Sequence, residues 1–445
     1  MYVRIFTYLI LIFSLFCNIY AVQTIQINKG NIKPIPIAIN NPEARIANEV
    51  KIANQLLNIV KNDLSGCGLF KILPKESIID NQVGVSHMPN FTAWKILNIS
   101  ALLNTSVKML NNKIIIDFIL WDNITGKEIY SGELQGSYIN IRKLAHTLSN
   151  IIYQKILGEK GYFNSQIAYV DISYVNNKKI SRIAIMDYDG ENNRFLTNGK
   201  NSVSTPRFSK DGTMLTYVMH TKNMPRIYVR NLITNKEIVI NSIKAMTTAP
   251  RFSYDGTKLL LSVSEDGKTN IVEMDIATQK YRQLTNNQYI NTSANYSYDE
   301  SLIYFSSDSQ SKNNIYAMNT NGLLIKSLGN SMGVYFRPAI SPTGEYIAAT
   351  KQENGQFAIS IINLHDGSER KLTEGYVVDG ASFSPNGRFI AFSKTEMSKI
   401  ITIKNNKKIK ILPEYIYVVD ITGNYSYRIN TPNYAASPDW SFNLD

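Results

Sequence analysis

The 445-residue chain is 44% hydrophobic and 11% aromatic but only 18% charged, and its 47 Lys+Arg against 35 Asp+Glu give a formal charge of +12. That apolar content can build large cores and excludes bulk disorder, which goes with low hydrophobicity and high charge density. Two cysteines exclude a disulfide framework and any Cys-rich zinc or iron–sulfur site, and the four histidines (His87, His146, His220, His365) include no pair at helical ligand spacing. No cofactor and no metal site is expected.

Residues 1–21 read as a secretory signal peptide: a short start with Arg4, an apolar run over 5–16, then a more polar stretch ending on the small Ala21. Cys17 would suit a lipoprotein, but Phe16 stands where such a site needs a small residue. An uncleaved anchor is the other alternative, because 5–22 approaches the ~20 residues of a membrane span. Cleavage after Ala21 leaves Cys67 as a single thiol, expected to be buried. The basic residues fall in polar stretches such as 176–179 and 404–408, with no aromatic-interleaved stripe of the kind nucleic acid requires.

Pro34 to Ile39 reads as a short strand whose prolines mark an edge or entry position. Residues 42–64 carry a helical period that places Ile46, Val50, Ala53, Leu57 and Val60 on one face. Residues 69–73 resemble a second strand and 92–96 a short helix. Runs 101–110 and 113–122 flank Asn111-Asn112 as a hairpin, and 127–136 adds a third antiparallel run. A second helical period over 140–157 aligns Ile141, Leu144, Leu148, Ile151 and Ile152. Together these predict an N-terminal α/β domain over 22–157, followed by a linker at 158–166.

A repeat fills the remainder. Arg207-Phe208-Ser209-Lys210-Asp211-Gly212-Thr213 returns as Arg251-Phe252-Ser253-Tyr254-Asp255-Gly256-Thr257, a step of 44. Degraded copies follow at Asn295, Ala339 and Ser382, and a last one begins at Asp439 after a step of 57. Asp-Gly, Asn-Gly and Thr-Gly supply the positive φ angles of tight hairpins. A short apolar strand follows each turn, and two more follow in most units. Four strands per repeat of roughly 40–50 residues describe a β-propeller blade. The post-turn strand at Ile167 lacks an anchor, and the anchor at Asp439 lacks a strand. The two halves complement each other, which predicts an all-β six-bladed β-propeller over 167–445 closed by the C-terminal strand. The extra residues of the long interval, 394–412, read as an elongated, lysine-rich hairpin.

Enzyme motifs lack context. Gly329-Asn330-Ser331-Met332-Gly333 matches the nucleophile elbow G-x-S-x-G, but that elbow joins a strand to a helix and needs a later Asp and His. Here it lies between propeller strands, and the only later histidine is His365. Asp187-Tyr188-Asp189-Gly190 hints at a calcium loop, yet its Gly comes too early and position twelve is Asn198 rather than Glu. A hairpin turn is the simpler reading.

A signal peptide, a small α/β domain and six blades anchored by Pro-x-Phe-Ser-x-Asp-Gly together resemble the TolB family of the Gram-negative Tol-Pal envelope system. Residues 166–170, 187–190 and 249–256 carry the resemblance, along with a chain that stops right after the closing anchor. The long insertion after Lys394 and the polar anchor at 295–300 depart from the pattern. The resemblance implies a non-enzymatic periplasmic scaffold that supports outer-membrane integrity and constriction during division. Its propeller channel mouth would bind the peptidoglycan-associated lipoprotein Pal, through Thr205, Met246, Thr247, Thr248, Ala249, Thr292, Ser293, Arg337, Asp379 and Tyr434. Met246 stands where the family would place a histidine. The mature N-terminal segment Val22, Gln23, Thr24, Ile25, Gln26, Ile27 and Asn28 would bind TolA; the residue types alone read as an edge strand, and the role the resemblance implies needs that strand weakly held and able to pair by β-augmentation. The alternative is a secreted propeller that binds or cleaves a glycan or peptide at the same mouth.

Overall fold

The computed structural model describes residues 33–78, 84–176, 178–329, 333–402 and 408–442. The signal peptide read at 1–21, the TolA segment read at 22–28 and Ser331 lie outside the described residues.

The N-terminal part is one five-stranded sheet in the order β2-β1-β3-β4-β5. Its strands are β1 (Ile35–Ile39), β2 (Phe70–Ile72), β3 (Ala101–Leu110), β4 (Lys113–Asp122) and β5 (Lys127–Ser137). β1 runs parallel to both β2 and β3 and is therefore interior; of the two positions its prolines suggest, edge or entry, the structure has the entry. Pro36 is tolerated because the β1–β3 ladder starts at Ile37, so its missing N–H falls before the pairing. Asn111 and Asn112 both take positive φ, 48° and 65°, at the β3–β4 hairpin, as a two-residue turn demands.

Two helices, α1 (Ala47–Gly66) and α3 (Ile141–Leu157), cover one face of the sheet, while Trp94 of the short α2 (Phe91–Ile96) packs on the other. α1 starts later than its periodicity suggests. Glu49 turns back to accept the backbone N–H groups of Arg45 (2.9 Å) and Ile46, which fixes the first turn there. Ile46 and Val50 consequently face solvent, and the buried stripe runs through Ile52, Ala53, Leu56, Leu57, Val60 and Leu64. α3 ends on Gly158 at φ 76°, a left-handed cap.

The span expected to be a linker is instead an anchor. Tyr162 and Phe163 are fully buried, and the Tyr162 ring packs edge-on or tilted against Tyr153, Tyr188, Phe389 and Trp440. One apolar cluster therefore runs from the helices of the first domain into the ring. Cys67 belongs to it, and burial pushes its thiol up to about 12.

The rest forms six four-stranded sheets with meander order. The first inner strand is Ser202–Phe208; the next four are Met246–Phe252, Asn291–Tyr296, Val334–Ile340 and Val378–Phe383. The sixth is Tyr434–Trp440, which pairs antiparallel with Gln166–Val175, Trp440 opposite Ile167. Closure is fastened by the Trp440 indole N–H on Ser165 Oγ (2.8 Å) and by the Gln166 N–H on Ser441 Oγ (2.9 Å). No blade buries both faces alone, and the apolar clusters lie between neighbouring sheets.

The anchor residues recur because they build the turn. Ser209 Oγ accepts the Met214 N–H (2.9 Å) and donates to Asp211 (2.6 Å), which in turn accepts the Thr213 N–H; Ser253/Asp255 and Ser297/Asp299 repeat the pattern. The extra residues of the long interval form an added hairpin, Lys399–Thr402 with Lys408–Ile411, inserted between Phe389–Thr395 and Glu414–Asp420.

Candidate functional site

The anchor turns and the first domain share one end of the ring. Arg142 of α3 reaches Asp187 (3.1 Å) and Asp189 (2.7 Å), the Tyr188 hydroxyl donates to Asp63 of α1 (2.6 Å), and the Tyr425 hydroxyl donates to the Gly66 carbonyl (2.8 Å). Residues 187–190 are thus a hairpin turn that docks the two domains. Asp63, His146 and Asp189 lie close enough to share a cation, but hydrogen bonds from Ser149, Tyr188 and Arg142 already hold this trio together, so these residues do not make a fitting cation site.

The opposite end is the wide mouth of the central channel. Its shape comes from a bulge repeated in all six inner strands. Thr205, Ala249, Ser293, Arg337 and Ser437 take φ of 48–57°, and Gly380 takes 74°, each at a break in the pairing with the next strand. Bulges re-aim side chains and end regular pairing, and non-Gly residues held at positive φ concentrate at functional rims. Two residues beyond each bulge stand Arg207, Arg251, Asn295, Ala339, Ser382 and Asp439; all but Arg207 line the cavity at the turn end and the two arginines line the one at the wide mouth, which puts these six at the channel waist between them.

An open cavity of about 530 Å³ occupies the wide mouth. Of the ten residues expected there, Thr205, Thr248, Ala249, Thr292, Ser293, Arg337 and Asp379 line it. Asp379 pairs with Arg337 and accepts from the Thr350 hydroxyl (2.9 Å), and Thr292 exchanges a hydrogen bond with Ser262 (3.1 Å). Three expected residues are not brought to the cavity. Thr247 alternates with Thr248 along its strand, so its side chain is buried in the blade and its hydroxyl has no partner among the described residues. Met246 is half-exposed at the strand's outer start, and Tyr434 packs edge-on between Tyr174 and Tyr415.

The charged waist went unnoticed in the sequence. Asp439 Oδ1 lies 3.1 Å from Arg251 Nη1 and 3.7 Å from Arg207 Nε, and Oδ2 accepts the Phe208 N–H (2.8 Å). Burial pulls the Arg207 guanidinium down to about 9, with Arg251 adding to the effect, and it remains charged at neutral pH. Burial lowers Arg251 too, opposed by Asp439. The signal was available: the first anchor position varies as Arg, Arg, Asn, Ala, Ser, Asp while the turn residues repeat. Freed from holding the turn, that position faces the channel. Ser204 Oγ lies 3.1 Å from His220 Nε2 at the rim, but among the described residues no carboxylate orients that ring as a base. At the turn end a smaller cavity, about 160 Å³, is crowded by Tyr254, Tyr298, Phe442 and Lys210, whose ammonium sits over the Tyr254 ring.

Residues 23–129 match the model of the TolB amino-terminal domain, and 153–444 match that of the TolB beta propeller domain. Two curated relatives, each named Tol-Pal system protein TolB, are 41% identical: one from Rickettsia bellii (strain OSU 85-389), covering 97% of this chain and 98% of the relative, and one from Rickettsia prowazekii (strain Madrid E), covering 98% of both. The crystal structure of TolB from Acinetobacter baumannii shares the fold, with a TM-score of 0.79 at 24% identity over 92% of this chain and 97% of that one. With both domains matched in order and relatives aligned along nearly its whole length, the chain belongs to the TolB family.

Proposed function

We propose that this chain is a non-enzymatic periplasmic component of the Tol-Pal system, docking Pal at the wide mouth of its propeller and binding TolA through residues 22–28. In that role it supports outer-membrane integrity and constriction during division. The observation that carries the reading is the open cavity on the face away from the first domain. Backbone bulges, threonines, serines and one Arg–Asp pair build its rim, a broad hydrogen-bonding surface in which, among the described residues, no carboxylate orients His220 as a base beside Ser204. The names of the relatives point to the same system.

Replacing Thr248 by Trp fills the mouth without touching the core. Titration calorimetry with the soluble domain of Pal from the same organism is expected to lose at least ~100-fold in affinity, the scale of a central hot-spot loss, with the melting temperature unchanged. Undiminished binding by Thr248→Trp contradicts docking at this mouth.

A further inference from the structure

The waist ring carries two arginines and one acid; its other three members, Asn295, Ala339 and Ser382, are uncharged. Asp439 must serve both Arg207 and Arg251, and it also holds the Phe208 N–H. A further acid that acts on Arg207, Asp379, is engaged by Arg337 and the Thr350 hydroxyl. Arg207 is almost wholly buried and spends its Nη1 on the Pro206 carbonyl (2.7 Å). Both arginines line the wide cavity, but the Arg251 side chain is the more exposed at 21%, it reaches the turn-end cavity as well, and among the described residues it donates through Nη1 alone. A buried charge with less than a full counter-charge is costly, and a guanidinium presents a planar fork suited to a carboxylate.

We infer that the channel waist is a carboxylate-binding site, into which the protein docked at the wide mouth inserts an acidic side chain to reach Arg251. The inference rests on the docking reading above and adds the chemistry that the partner must supply. A threonine- and serine-lined funnel with a positive floor selects a partner whose protruding residue is Asp or Glu. Partners that present Lys or Arg there are disfavoured by like-charge contact with the floor.

Two variants move the site in opposite directions. Arg251→Met removes the exposed guanidinium. Asp439→Asn keeps the side-chain shape and an acceptor for the Phe208 N–H but frees both arginines. In calorimetry with soluble Pal, Arg251→Met is expected to weaken binding at least ~10-fold and Asp439→Asn to tighten it several-fold, the scale of a desolvated charge contact. A second arm needs no Pal: glutarate is titrated against the full mature chain while the Arg251 Nε–H resonance is followed by NMR, with phosphate and chloride at matched ionic strength. A saturable shift with glutarate, enlarged in Asp439→Asn and absent in Arg251→Met, supports the site. If Pal binds both variants as it binds the wild type, the inference falls and the docking reading stands. If Pal binds none of them, the docking reading falls and the glutarate arm decides the site by itself. Equal shifts with all three anions overturn the carboxylate assignment. Opposite signs for the two variants also separate the effect from misfolding, which would weaken both.

Discussion

Asp299 shows how one anchor residue stabilises a blade. The hydroxyls of Ser297 and Ser301 hold its carboxyl down to about 2, and Ser297 also lowers the pair's cost by accepting the Leu302 N–H. A carboxyl whose pKa is depressed on folding adds stability that is fully present above its unfolded value of about 4 and is lost as pH falls towards 2. Ser253 lowers Asp255 in the same sense. Ser297→Ala is therefore expected to melt below the wild type at pH 6, with the gap narrowing between pH 4 and pH 2. A gap that is constant with pH contradicts the role given to the hydroxyl. These turn residues were legible in the sequence because their chemistry is local: Ser, Asp and Gly recur wherever the same turn recurs. The waist showed only as the one anchor position that varies; that Arg207, Arg251 and Asp439 pair there becomes visible only once the ring has closed.

Among the elements, the helices and hairpins of the first domain were readable to within a few residues, and the misses have identifiable causes. Periodicity fixed the middle of α1 but not its start, which a Glu49 side chain decides. Pro36 left edge and entry undecided because a strand's neighbours cannot be seen from its own residues. The six bulges left no trace: Thr, Ala, Ser, Arg, Gly and Ser share no propensity, and the sheet geometry alone puts them at positive φ. The span 158–166 looked like a linker because it is short and carries two glycines, yet Tyr162 and Phe163 seat the first domain on the ring. Tyr162→Ala is expected to cost about 3–5 kcal/mol, the range for a large buried aromatic. Denaturant unfolding followed by fluorescence measures it, and a loss under 1 kcal/mol would make this span the passive connector it resembles.

For the whole molecule, the order of domains, the number of blades and the closure by the last strand were all set out in the repeat and its two unmatched ends. Closure joins residues from opposite ends of the propeller segment: Trp440 to Ser165, Ser441 to Gln166, and Asn433 to Asp171 at 2.9 Å. A ring without its last inner strand leaves the edge of Gln166–Val175 unpaired and uncovers the shared aromatic cluster. Truncation after residue 431 is therefore expected to abolish the cooperative thermal transition of both domains, since they share that cluster. An intact transition at the wild-type temperature contradicts closure.

The end of the channel that receives a partner decides the proposed function. A photoreactive amino acid placed at Thr292, on the wide mouth, and in a second variant at Tyr254, on the narrow one, tests this directly with soluble Pal in solution. Covalent capture from position 292 and none from 254 is the predicted result; capture from 254 with none from 292 contradicts it.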